Sequence, residues 1–337
     1  MTRASSPRRT VRHRPPRRAA AAALCLAAAG LAPAAPAHAA PAQAPATKTP
    51  TRTPTRTAAL PIGDLGTAVH HFLFSPDAVA GANDWNCKPG AAHPYPVVLA
   101  HGTLANAGAN WVALAPTLAN QGYCVYALNY GMNPLSAGRV GGLTDIGDSA
   151  RQLDAFVDKV LAATGAKKAD IVGHSQGGMM PHYYLKRLGG AAKVRTLVGI
   201  APSNHGTTLD GLLTLSKQMN ALGFVNNILD TAGLTGLKQQ EADSDFQKEL
   251  WKDGDTVPGV RYVVIATRED TVVTPYTNGF LYGGDVTNVT LQDQCPDDRT
   301  GHAGLFLDGP TLQNVVNALG PNDPHFTPEC RDYGPAL

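Results

Sequence analysis

Ala169-Asp170-Ile171-Val172-Gly173-His174-Ser175-Gln176-Gly177-Gly178 is the stretch on which the reading of this chain turns. An apolar strand at 169–172 runs into Gly-x-Ser-x-Gly, and a helix opens directly after it. The pattern alone is weak, because in a chain with 35 Gly among 337 residues composition supplies roughly 0.1 such matches. Its placement is what counts: a tight strand-turn-helix corner lifts a serine hydroxyl clear of the sheet, which makes Ser175 a candidate nucleophile. Gly173 and Gly177 suit that corner, since side chains there would crowd the neighbouring strand and helix. Pro181 lacks an N–H and is expected to remove one bond from the helix's second turn.

Outward from this corner, strand-like and helix-like segments alternate from about Leu60 onward, which predicts a mostly parallel sheet covered by helices. Strands are expected at 97–100, 123–128, 170–173, 194–200, 261–267 and 286–291. Ile146, Ala150, Leu153, Val157, Val160 and Leu161 recur at helical spacing, with Thr144 as the cap and Gly165 as the stop. Further helices are expected from the corner to about 188 and at 311–319. No internal repeat is visible, so residues 60–337 read as one domain.

A serine hydroxyl is a poor nucleophile near neutral pH and needs a base within reach and a group to orient that base. For a nucleophile on such a corner the chain order is Ser, acid, His. His302, in Gly301-His302-Ala303-Gly304-Leu305, follows the last expected strand and precedes the last helix, where a loop returns the imidazole to Ser175. His205 comes early, and His325 sits in a Pro-rich tail. The strand at 261–267 leads into Arg268-Glu269-Asp270, so Asp270 is the expected orienting acid, with Glu269 and Asp285 as rivals. Donors to a developing oxyanion are expected from the backbone N–H of Gln176 and, in His101-Gly102-Thr103-Leu104, from Thr103, whose hydroxyl adds a second bond. His174 is read as a packing residue.

The formal charge of +2 conceals a division within the chain. Residues 1–39 hold seven arginines and no acid, and the order basic stretch, apolar run 19–32, Ala37-His38-Ala39 is that of a cleaved secretory signal. That apolar run is shorter than the roughly 20 residues a membrane span needs. Residues 40–59 are rich in Pro, Thr and Ala and read as a tether or short pro-segment. Taking the leader's seven arginines from 28 basic residues leaves 21 against 26 acidic ones, so no basic footprint for nucleic acid remains. Cys25 leaves with the leader. The remaining four cysteines fit two disulfides in an exported protein and permit three connectivities. Cys87 with Cys124 and Cys295 with Cys330 are favoured because each closes a local loop, and a four-cysteine zinc site is the competing reading.

These residues resemble the α/β-hydrolase superfamily and, within it, the secreted bacterial lipases and esterases of actinobacterial type. The resemblance rests on His101-Gly102-Thr103, the corner 173–178, the segment 268–276 and the loop 301–305, and extends over most of the chain from about Leu60. Gly102-Thr103 with Ser175-Gln176-Gly177-Gly178 is also similar to the oxyanion-hole pattern of a fungal lipase, where Thr and Gln supply the donors. The resemblance implies hydrolysis of carboxylic esters through an acyl-enzyme, without a cofactor. Some relatives bind a structural calcium, for which Asp297 and Asp298 are the candidates, but no metal is expected. A helical cap or lid insertion is expected at about 205–255, carrying Leu209, Leu212, Leu213, Leu215, Met219, Leu222, Phe224, Val225, Ile228 and Leu229. It reads either as a wall for acyl chains or as ordinary helix packing. The expectation is a monomeric secreted triacylglycerol lipase or esterase acting on hydrophobic esters. A cutinase-like polyesterase, an acyltransferase and a catalytically silent lipid-binding protein are the alternatives.

Overall fold

The computed structural model describes residues 58–221 and 234–337. The expected leader, nearly all of the tether, and Leu222, Phe224, Val225, Ile228 and Leu229 of the expected cap lie outside the described residues, as do the side chains of Leu209 and Met219.

Six strands form one sheet in the order β2-β1-β3-β4-β5-β6, and every pair is parallel. They are β1 Val97–Ala100, β2 Val125–Leu128, β3 Ala169–His174, β4 Val194–Ile200, β5 Arg261–Ala266 and β6 Asp285–Thr290. Runs of Val, Ile, Leu and Ala suit strands covered on both faces, and β1, β2 and β3 are buried throughout. β6 is one edge, opposite β2, and buries only its last residue. The second strand begins at Val125 and not at 123, because the N–H of Tyr123 closes a turn onto the carbonyl of Leu118.

The helices are α1 Leu65–Phe74, α2 Ala107–Asn110, α3 Leu114–Asn120, α4 Ile146–Thr164, α5 Gln176–Arg187, α6 Leu209–Ala221, α7 Thr235–Lys238, α8 Asp245–Trp251, α9 Leu291–Gln294 and α10 Gly309–Leu319. The cap of α4 is Asp145, whose carboxylate accepts the N–H of Asp148, and not Thr144; Gly165 ends the helix in the left-handed region at φ 76°. α5 continues through Pro181 to Arg187, and the carbonyl of Gly177 goes without its helical partner there.

Alternate side chains of each strand face opposite layers. Val98, Tyr126 and Ile171 pack with Ile146, Leu153 and Met179 of α4 and α5. Val97, Leu99 and Val172 pack with Leu114, Leu118 and Val315 of α3 and α10. A third cluster, Phe72, Leu104, Leu212, Leu215, Leu237 and Val272, joins α1, α6 and α7. Each fully buried Leu, Val or Phe contributes about 1.5–3 kcal/mol. Disulfides join Cys87 to Cys124 and Cys295 to Cys330. The chain leaves β1 for β2 on one side and later adds β3 on the other, so the order reverses between β1 and β3. In open parallel sheets such a reversal opens a crevice at the carboxyl ends of the strands.

Candidate active site

Ser175 stands in that crevice, between β3 and α5, at φ 54° and ψ −122°. A non-glycine residue in such a region costs about 1–3 kcal/mol and persists only where its surroundings force it. Here the N–H of Ser175 donates to the carbonyl of Ile200 at 2.9 Å, and its carbonyl accepts from the N–H of Gly178 at 2.9 Å. Glycines make the corner possible: a Cβ on Gly173 would lie 1.9 Å from the oxygen of Gly177, and one on Gly177 would lie 2.1 Å from the oxygen of Ala100.

The loop after β5 carries Asp270, which is buried. One carboxylate oxygen accepts the N–H groups of Val272 and Val273, both at 2.8 Å. The other lies 2.8 Å from Nδ1 of His302, which is fully buried in the loop before α10. With Nδ1 facing a carboxylate, the ring's proton belongs there, and Nε2 presents a lone pair. That Nε2 is buried without a hydrogen-bond partner. It lines the same cavity as Ser175, with no hydrogen bond between the two side chains. Such contacts are often open before substrate binds. The loop is braced by the tail of the chain: the N–H of Ala303 donates to the oxygen of Leu337 at 2.8 Å and that of Gly301 to Pro335 at 3.3 Å.

The other candidates lie elsewhere. Glu269 pairs outward with Arg299 at 2.9 Å, Asp285 is exposed at the opposite end of the sheet, His205 pairs with Asp255 at 3.1 Å, and His325 is exposed. Among the described residues, Asp297 and Asp298 included, no group of three or more His, Cys, Asp or Glu is placed to hold an ion.

His174 does more than pack. Its Nε2 lies 3.0 Å from the main-chain oxygen of His302, and its Nδ1 faces Oδ1 of Asn110, which accepts the N–H of Gly102. Burial pushes His174 down to about 3, so the ring is neutral. His101 is likewise pushed by burial to about 4. Its Nε2 accepts the N–H of Tyr130, which leaves Nδ1 to donate to the carbonyl of Gly102.

Thr103 follows β1 and Gln176 opens α5, where the first N–H groups of a helix have no internal partner. Gly142 stands between them: its carbonyl accepts Nε2 of Gln176 at 2.9 Å, and a Cβ on it would lie 3.0 Å from Cα of Thr103. The hydroxyl of Thr103 is held by the carboxamide of Gln240, 3.0 Å from its Nε2 and 3.2 Å from its Oε1. Asn110, Gly142 and Gln240 escape sequence reasoning because their partners are distant in the chain, 64, 34 and 137 residues away respectively.

The cavity is narrow, about 40 Å³, and its walls are mainly apolar: Leu65, Ala68 and Phe72 of α1, Leu215 of α6, and Phe306. The insertion between β4 and β5 therefore supplies part of the wall through Leu215, while Leu213 is exposed. No helix among the described residues is long and apolar enough to cross a membrane.

A family model described as "Lipase (class 2)" matches residues 94–313, the span that holds Thr103, Ser175, Asp270 and His302. Over 100 residues the chain is 39% identical to a triacylglycerol lipase of Pseudarthrobacter phenanthrenivorans, covering 28% of this chain and 28% of that protein. It is also 39% identical over 100 residues to a triacylglycerol lipase of Burkholderia plantarii, covering 28% of this chain and 25% of that one. The match thus spans only about a quarter of the length of these curated relatives. Among solved structures, Aspergillus fumigatus lipase B is similar in fold, with a TM-score of 0.57 at 21% identity over 73% of this chain and 57% of that one.

Proposed function

The chain belongs to the class 2 lipase family and has the parallel, helix-flanked sheet of the α/β hydrolases, and on that premise we propose that it is a secreted serine hydrolase of lipid esters, a triacylglycerol lipase or esterase. The observation that carries the reading is the buried Asp270–His302 pair, whose free Nε2 opens into the apolar cavity that also holds Ser175.

In the proposed reaction Oγ of Ser175 attacks the ester carbonyl carbon as its proton passes to Nε2 of His302. The carbonyl π electrons move onto oxygen, and the backbone N–H groups of Thr103 and Gln176 receive that oxyanion. Asp270 holds the tautomer of His302 and stabilises the imidazolium. Collapse expels the alcohol, which takes the proton from His302. A water then gives its proton to His302 as it adds to the acyl-enzyme, and the second collapse releases the acid and restores Ser175. Phe72, Leu215 and Phe306 suit an apolar acyl chain. Export is supported by the leader pattern of residues 1–39 and by two disulfides.

Ser175→Ala is expected to abolish turnover of nitrophenyl esters and emulsified triglyceride, and labelling by an organophosphonate, while leaving the thermal transition in place. Ester turnover retained by that variant would overturn the proposal. A chain-length series on the native protein then separates lipase from esterase.

A further inference from the structure

Gln240 lies just beyond α7, in the insertion between β4 and β5, yet its side chain ends against the loop after β1. It is 2% exposed. Its main chain is fixed as well, since the N–H of Thr207 donates to its carbonyl at 2.8 Å.

Two contacts fix which way the carboxamide faces. Nε2 lies 3.1 Å from the main-chain oxygen of Gly236, an acceptor with no proton to give. Oε1 receives the hydroxyl of Ser203 at 3.1 Å. A reversed amide would set oxygen against the Gly236 carbonyl, at the cost of an unsatisfied buried acceptor. Nε2 is therefore the atom held 3.0 Å from Oγ1 of Thr103, and Oε1 is the more distant at 3.2 Å. A hydroxyl that accepts from an amide N–H keeps its own proton free to donate.

We propose that Gln240 is a positioning residue that turns the hydroxyl of Thr103 into a third donor for the oxyanion, so that the cap insertion helps to build the stabilising site. This deepens the functional reading above and rests on it. As negative charge develops on the substrate oxygen, the Thr103 proton leaves its longer contact with Oε1 and turns to the oxyanion, while Nε2 continues to donate to Oγ1. Gln240 touches no substrate and acts only through Thr103.

The test compares Gln240→Met, Thr103→Val and the double variant on a soluble short-chain nitrophenyl ester. Each single change is expected to lower kcat about 10- to 100-fold, at or below the usual cost of losing one oxyanion-hole donor, with KM within about twofold. The double variant is expected to be no worse than Thr103→Val alone, because both remove one interaction. Independent multiplication of the two effects, or a native kcat in Gln240→Met, would overturn the inference. Gln240→Glu provides a second reading that does not depend on Gln240→Met folding. Its carboxylate captures the Thr103 proton, so its kcat is expected to gain a descending limb as the new acid ionises. A pH profile parallel to the native one would also overturn the inference. If the native protein turned over no ester and Ser175 took no phosphonate, the functional reading itself would fail. An active native enzyme indifferent to changes at Gln240 sinks the inference alone.

Discussion

Ser175 keeps φ at 54° although it carries a Cβ, and Gly173 and Gly177 leave no other course for the chain around it. That corner is legible in sequence because it needs particular residue types at fixed spacing. The same holds in part for Asp270 and His302, which the order of strands and loops singles out. Asn110, Gly142 and Gln240 carry no local pattern, since each gains its role only when distant segments meet. Strain at Ser175 has a measurable consequence. Ser175→Gly is expected to remove turnover and raise stability by about 0.5–2 kcal/mol, the relief of a strained φ less the entropy glycine loses on folding. Ser175→Ala keeps the Cβ and gains nothing comparable. Denaturant midpoints of the three proteins decide this, and a Gly variant no more stable than the Ala variant contradicts it.

Strands were the most readable elements. β1 and β4 coincide with the expected bounds, because a strand covered on both faces is largely apolar, although β4 also carries Arg195 and Thr196 near its start. Helix ends were less exact: Asp145 displaced Thr144 because either side chain caps well and only the folded turn shows which one meets the N–H of Asp148. The insertion was ambiguous because leucines that line a cavity and leucines that pack on a neighbour look the same in sequence. Leu212 and Leu215 join a cluster with Phe72 of α1, and Leu215 also faces the cavity. The two disulfides separate stability from catalysis at this scale. Cys87 and Cys124 are 37 residues apart and Cys295 and Cys330 are 35 apart, so chain entropy gives each about 3–4 kcal/mol. Replacing Cys87 and Cys124 by serine is expected to cost about that much with kcat unchanged. Replacing Cys295 and Cys330 should cost a similar amount and also lower kcat by about tenfold or more, since it frees the tail that braces the His302 loop. Equal kcat in the two folded variants would refute the distinction.

At the scale of the molecule, burial pushes His101 down to about 4, and His174 and His182 to about 3, from an ordinary value of 6.5, so these rings are neutral. Between those limits the unfolded chain binds protons that the folded one refuses. Their contribution is therefore fully present above pH 6.5 and is lost as pH falls toward 4 and 3, each ring adding up to about 1.4 kcal/mol per pH unit. Denaturant midpoints should fall markedly between about pH 7.5 and about pH 5, and a flat profile would contradict the assignment. The sheet, its two covering layers and the apolar cluster above the crevice followed from hydropathic rhythm, whereas the closure of the tail onto the His302 loop did not, because it is made by main-chain atoms of Pro335 and Leu337 that any side chains would offer. That closure makes the main chain of Leu337 a support of the loop that carries the proposed general base. A reporter, surface anchor or immobilising linker joined after Leu337 pulls directly on that support, so the site of attachment becomes a determinant of catalysis and not a neutral handle.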